Sequence, residues 1–261
     1  MIGTHDGYHA QGYQIEHGFI STATVGRLKR RIADALEVGS LGEVQFDDAR
    51  ADGANPMGPE RFRKVSELCR RHRDVWDEFV AAPRAIALNR ELVGDNVRQW
   101  FNAVFTKPAQ VGESTPWHQD IGLWTQTAER RHLRPLFRDA LSFWVALDPA
   151  TRENGCLQVV PGSHRGPVID HVKYPNAVHV ELPRESTRDL AVAHIELEPG
   201  DAIVWHAHLW HYSPANRSDR NRWAMAMVTL GDAEARRAGT PDLPWLVRGG
   251  VTQPFPGSDS G

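Results

Sequence analysis

From about Val97 onwards the apolar residues of this chain come in short runs broken by turn-forming residues, and no other feature narrows the fold so far. Val104-Phe105, Leu141–Leu147, Cys156–Val160, Ala191–Leu197, Ala202–Trp205 and Trp223–Leu230 read as strands between clusters of Gly, Pro, Asn and Asp. Many short strands need two packed sheets or a closed barrel to bury their inner faces. Ahead of them the period is helical. Val25, Leu28, Ile32, Ala35 and Leu36 repeat at helical spacing behind a cap at Thr22 or Thr24, which predicts a helix to about Leu36 or Val38. Phe62, Val65 and Leu68, then Val75, Trp76 and Phe79, predict helical stretches near 60–81, with another near 84–93. Residues 39–58, rich in Gly and Asp, read as a loop.

The expected fold class is therefore mainly β with flanking helices. Its core would be a double-stranded β-helix (a cupin-like jelly roll) braced by N-terminal helices. A chain of 261 residues suits one large domain, and no linker divides it. Within it, 1–95 is expected to be mainly helical support, 96–231 the jelly-roll core, and 232–261 a short helix with a loosely held tail. Residues 164–190, with many histidines, prolines and charges, read either as a lid or as a long surface loop. A formal charge of −3 without a polybasic run argues against a nucleic-acid partner. No run of 18 apolar residues and no secretory start are present, so the expectation is a cytoplasmic protein off the membrane, monomer or homodimer. Two cysteines are too few for a disulfide framework, and Cys156 is expected to pack, unreactive, in a strand.

The chemistry centres on Trp117-His118-Gln119-Asp120. In an extended strand, residues two apart point to the same side, so His118 and Asp120 would offer an imidazole nitrogen and a carboxylate oxygen to one point. A second histidine from a distant strand would complete a set of two imidazoles and one carboxylate. Such a set leaves open positions on a non-haem Fe(II) for a co-substrate and O2. Three downstream histidines crowd into Trp205-His206-Ala-His208-Leu-Trp-His211. Here Ala202–Trp205 reads as a strand, Ala207–Trp210 as the bend, and His211 as the opening of the next strand, with Ser213 on its face. Arg222 follows eleven residues later. A buried arginine needs a partner, and its planar fork fits a carboxylate, so Arg222 with the Ser213 hydroxyl would seat the far end of a dicarboxylate.

Three blocks resemble the phytanoyl-CoA dioxygenase family of Fe(II)/2-oxoglutarate oxygenases. They are Lys107–Asp120, then Phe143–Leu157 followed by Pro161-Gly-Ser-His164, and Gly200–Asn216 leading to Arg222. The resemblance implies that His118, Asp120 and His211 are the iron ligands. It also implies that Arg222 binds the C5 carboxylate of 2-oxoglutarate with Ser213 beside it, and that Lys107 and Trp144 flank the chelating end. Gln119 and Asn154 are expected to line the pocket. The implied reaction is hydroxylation of an unactivated C–H bond of a small molecule, such as a natural-product intermediate, an amino-acid derivative or an acyl compound, with release of succinate and CO2. Desaturation, epimerisation and ring closure stay open on the same machinery. The carboxylate of Asp120 favours oxygen transfer over halogenation, for which related enzymes carry a small residue there.

Two readings from other classes stand beside it: a non-enzymatic cupin-like barrel that binds metal or ligand, and a zinc hydrolase on the same three residues. The Arg222–Ser213 pair favours the oxygenase, since a binder needs no dicarboxylate seat, and no general base for a hydrolase is evident. His206 and His208 are expected to support the site from behind or to be structural rather than to bind the metal, and His164 to be a hydrogen-bonded loop residue. Trp117, Trp124, Trp205 and Trp210 serve either as an apolar wall of the pocket or as core.

Overall fold

The computed structural model describes residues 6–37, 44–46, 62–137, 140–175 and 179–256. In chain order its elements are α1 (Asp6–Gln11), β1 (Tyr13–Glu16), α2 (Thr22–Glu37), β2 (Val44–Phe46), β3 (Phe62–Ser66), α3 (Arg73–Val75, continued as a π-helical turn over Trp76–Val80), α4 (Pro83–Leu92) and β4 (Val97–Lys107). Then come β5 (Thr115–His118), α5 (Asp120–Trp124), β6 (Leu141–Ala146), β7 (Leu157–Val159), β8 (Ala193–Ile195), β9 (Ala202–His206), β10 (His211–Ser213) and β11 (Arg222–Gly231). The chain closes with α6 (Asp232–Arg237), β12 (Trp245–Arg248) and β13 (Val251–Thr252).

The strands form two antiparallel sheets. The large one runs β1-β9-β6-β11-β4-β12-β13, with β3 also on β4 and β2 on β3; the small one runs β5-β10-β7-β8. This is the expected jelly roll, mainly β and curled into a half-barrel, with helices behind the large sheet. The β6 run, apolar except for Ser142, is buried on both faces. Phe143 and Val145 face the helices, in one core with Leu28, Ile32, Trp76, Phe79 and Leu88. Trp144 and Ala146 face the small sheet, in a second core with Leu157, Val159 and Ile203. Full burial of one side chain of Phe143's size contributes about 1.5–3 kcal/mol. The α2 stripe is as expected: Val25, Leu28, Ile32 and Ala35 are all buried. Its cap lies one residue earlier than expected, with Ser21 Oγ accepting from the Thr24 N–H at 3.1 Å.

Three expectations are corrected. The stretch near 60–81 is not one helix: 62–66 forms β3, which pairs Lys64, Val65 and Ser66 with Phe105, Val104 and Ala103 of β4. The helical spacing of Val65 and Leu68 is coincidental, because Glu67 adopts a left-handed turn (φ 63°) between them and each is buried from a different element. The loop over 39–58 contains β2 at 44–46; the rest of that loop lies outside the described residues. The tail is not loosely held over 245–256. There β12 and β13 extend the large sheet, the Arg98 guanidinium stacks 3.4 Å from the Trp245 ring centroid, and Phe255 meets Trp76. Among the described residues, no helix is long and apolar enough to cross a membrane.

Candidate metal centre

The small sheet sets two of the three groups. His118 ends β5, His211 opens β10, and the two are direct cross-strand partners, which places their ring centroids 4.0 Å apart. Each imidazole is oriented by the backbone carbonyl two residues before it. Nδ1 of His118 bonds the Pro116 carbonyl at 2.7 Å, and Nδ1 of His211 bonds the Leu209 carbonyl at 2.9 Å. Nδ1 therefore carries the proton and Nε2 presents its lone pair, the form that binds a metal. Burial, then the nearness of His211 and His179, pushes His118 well below the ordinary imidazole range, so it stays neutral.

Asp120 arrives differently from the simple strand alternation. β5 stops at His118, and Asp120 is the first residue of α5; only the extended Gln119 between them (φ −108°, ψ 135°) preserves the two-residue alternation. Oδ1 lies 3.8 Å from His118 Nε2 and 3.6 Å from His211 Nε2. Oδ2 accepts from Ser142 Oγ at 2.7 Å and from Trp205 Nε1 at 3.0 Å. The three candidate ligand atoms all fall within 4.8 Å of one another, which suits a single divalent ion.

Arg222, at the start of β11, is paired in the ladder with Lys107 at the end of β4, so two cations are buried side by side. Arg222 Nη1 donates to the Gly155 carbonyl at 2.5 Å and to Ser213 Oγ at 3.4 Å, and Ser213 Oγ donates to the same carbonyl at 2.8 Å. The guanidinium lies 5.0 Å from the Trp144 ring centroid. Its Nε is buried without a partner, and among the described residues no carboxylate lies within ion-pair distance of it. Burial draws its pKa down to about 10, so it remains charged at neutral pH. Lys107 Nζ donates to the backbone carbonyls of Glu113 and Ser213. Gly155 has to be glycine: its φ is +82°, and a Cβ there would sit 2.2 Å from the Pro214 carbonyl oxygen.

The proposed site residues Lys107, His118, Asp120, Trp144, His211, Ser213 and Arg222 all border one cavity of about 140 Å³. A single water needs ~10–15 Å³ on this scale, so the space takes a small molecule. Its remaining walls include Phe101, Phe105, Trp124 and Trp205, with Arg63 and Glu113 also on the lining. Phe105 and Phe101 were not singled out from the sequence, although they lie two and six residues back along β4 from Lys107 and so share its side of the strand.

Two expected lining residues serve elsewhere. Gln119 points away from its neighbours, on the other side of the extended segment. Its amide donates to the carbonyls of Pro167 and His208 and accepts from the Ile169 N–H. Asn154 closes a turn through the Thr151 N–H and the Pro149 carbonyl, and so positions the Gly155 carbonyl. Trp117 stacks on Tyr212 rather than facing the cavity. His206 and His208 pack edge to face outside it, and His164 reaches the His9 carbonyl. Burial pushes the Cys156 thiol up to about 11, which leaves it inert.

Two histidines not singled out from the sequence support the site from the 164–190 segment. His171 Nε2 accepts the Gln119 N–H at 3.0 Å, and the His179 ring lies 5.0 Å from that of His118. Leu182 N–H bonds the Trp117 carbonyl, and Val172 and Glu181 exchange two backbone hydrogen bonds. His171 packs so closely on α5 that a Cβ at Gly122 would lie 1.9 Å from its ring.

Among known proteins, the family model for phytanoyl-CoA dioxygenase matches residues 8–224. A probable phytanoyl-CoA dioxygenase of Caenorhabditis elegans is 26% identical, over 86% of this chain and 73% of that one. The solved structure of EctD from S. alaskensis with bound Fe superposes with a TM-score of 0.68 at 22% identity, over 96% of this chain and 80% of that one. The epimerase SnoN, solved in complex with Fe3+, α-ketoglutarate and nogalamycin RO, superposes with a TM-score of 0.64 at 21% identity, over 98% and 90%. With its jelly roll and its match across most of its length, the chain belongs to the phytanoyl-CoA dioxygenase family.

Proposed function

We propose that the chain is an Fe(II)/2-oxoglutarate-dependent oxygenase that hydroxylates an unactivated C–H bond of a small molecule, releasing succinate and CO2. One observation carries the reading: two imidazole Nε2 atoms and one carboxylate oxygen converge beside a buried arginine whose Nε has no partner. A metal-binding scaffold would account for the first half of that arrangement; a dicarboxylate co-substrate accounts for both. Family membership supports the reading, as do the iron and α-ketoglutarate named for EctD and SnoN.

His118, Asp120 and His211 would hold the ferrous ion and leave three adjacent positions open. When bound, the iron supplies the oxidising chemistry that no acid–base side chain can provide. Arg222 would grip the far carboxylate of 2-oxoglutarate through its planar fork, with the Ser213 hydroxyl beside it. Lys107 adds positive charge next to Arg222, and the Trp144 ring supports the guanidinium. Phe101, Phe105 and Trp124 would exclude water and press an apolar part of the substrate toward the metal end of the cavity. Pro167, Ile169, His171 and Leu182 would brace the metal end from behind, through their bonds to Gln119 and Trp117.

The same residues would serve epimerisation, ring closure or desaturation, and the similarity to an epimerase keeps these outcomes in view. Reconstitution with Fe(II), 2-oxoglutarate, O2 and ascorbate against a metabolite panel tests the proposal. The expected result is iron-dependent succinate, stimulated by at least one panel member whose product is then analysed. An absence of iron-dependent succinate under every condition would sink it.

A further inference from the structure

A carboxylate can bind a metal through one oxygen or through two, and the choice decides how many positions stay open. Asp120 has no control over this from its own element. It begins α5, outside both sheets, after a single extended residue. The control comes from the large sheet. Ser142 of β6 and Trp205 of β9 are direct cross-strand partners, and both aim donors at the same atom, Asp120 Oδ2, at 2.7 and 3.0 Å. Both are buried, at 1% and 6% exposure, and among the described residues neither donor atom has another acceptor. Oδ1 is left facing the two imidazoles at 3.6 and 3.8 Å.

We infer that the Ser142–Trp205 pair is a positioning device that confines Asp120 to one-oxygen metal binding, and so keeps three adjacent sites free for the co-substrate and O2. The inference rests on the oxygenase reading above. Two hydrogen bonds to one carboxylate oxygen occupy the lone pairs that this oxygen would otherwise turn to the metal. Released, Oδ2 swings in and competes with 2-oxoglutarate for its second position. The expected signature separates two affinities that ordinary structural damage lowers together. Iron binding holds or tightens, because the carboxylate gains a contact, while 2-oxoglutarate binding weakens.

Trp205→Phe keeps the packing of a large ring and removes the N–H; Ser142→Ala removes the hydroxyl; Ser142→Thr restores one. Anaerobic titrations of the full chain would measure Fe(II) affinity first, then 2-oxoglutarate affinity through the charge-transfer absorption of the iron complex. Loss of one hydrogen bond to a charged group corresponds to about a tenfold or greater effect. Trp205→Phe and Ser142→Ala are therefore each expected to raise the 2-oxoglutarate Kd about tenfold with Fe(II) Kd unchanged or lower, and Ser142→Thr to recover most of the loss. Unchanged 2-oxoglutarate affinity in both variants overturns the inference. So does a parallel loss of iron and co-substrate affinity, which marks the pair as merely structural. Failure of the unsubstituted protein to bind Fe(II) overturns the oxygenase reading instead, so the two failures are distinguishable.

Discussion

Replacing Arg222 by methionine should make the protein more stable and nearly unable to bind its co-substrate. Arg222 is 3% exposed, its partner across the ladder is a second cation, Lys107, and no carboxylate lies against it among the described residues. Its pKa falls to about 10 through burial. The charged form therefore opposes folding at every pH below that value, and the penalty fades only as pH rises from about 10 towards the unfolded value. At 1.36 kcal/mol per pKa unit the penalty is about 3 kcal/mol at neutral pH. Methionine fills a similar length without charge, and Ser213 Oγ still donates to the Gly155 carbonyl, so no new polar group is stranded there. The variant without ligand should melt no lower than the parent and at most about 10 °C higher. Co-substrate binding moves the other way. Two hydrogen bonds from a guanidinium to a carboxylate are each about 1.5–3 kcal/mol, and taking about 3 kcal/mol in total gives an affinity loss on the order of 150-fold. Thermal melts with and without 2-oxoglutarate, in the presence of Fe(II) and absence of O2, read both effects at once. The parent should gain stability from 2-oxoglutarate, and the variant should gain almost none. A variant that keeps its 2-oxoglutarate affinity within about threefold would refute the assignment of Arg222 as the seat, whatever its melting temperature.

Asp120→Ala is expected to abolish iron retention after gel filtration and to stop succinate formation; unchanged turnover would remove Asp120 from the site. Burial also lowers the pKa of His179 to about 4, so its ring is neutral in the fold and charges more readily in the unfolded chain. That contribution is fully present above the unfolded pKa and is lost as pH falls towards about 4, up to about 3 kcal/mol from this residue. His179→Gln should flatten the acid limb of stability against pH, and an identical limb in the variant would count against it. Gln119→Ala deletes three side-chain hydrogen bonds to the Pro167, His208 and Ile169 backbone. Amide exchange should then speed up around 167–172 while β4 and β11 stay protected; uniform exchange across the chain would argue that Gln119 only stabilises globally.

Where burial follows from local periodicity, the sequence was readable. The α2 stripe, the doubly buried β6 and the opening of β10 at His211 all follow from runs of three to sixteen residues. What escaped depends on distant partners. β3 is a strand because β4 offers an edge some forty residues later, and β12 because the far end of that same edge is free. At the site, the residues proposed by type and spacing to carry lone pairs and charge all border one cavity. Gln119 and Asn154 were misread because a polar residue beside a motif looks the same whether it faces the cavity or turns back to hold a loop. His171 and His179 were hidden because their contacts with Gln119 and His118 cross more than fifty positions of irregular chain.

The three arms of the candidate metal centre do not share one foundation. Both imidazoles are braced by backbone carbonyls two residues before them in the chain and sit on paired strands of the small sheet. The carboxylate is braced from the opposite wall. A slight slip of one sheet over the other would leave two arms intact and unseat the third. Loss of the ion would then register strain in the barrel long before the barrel itself came apart.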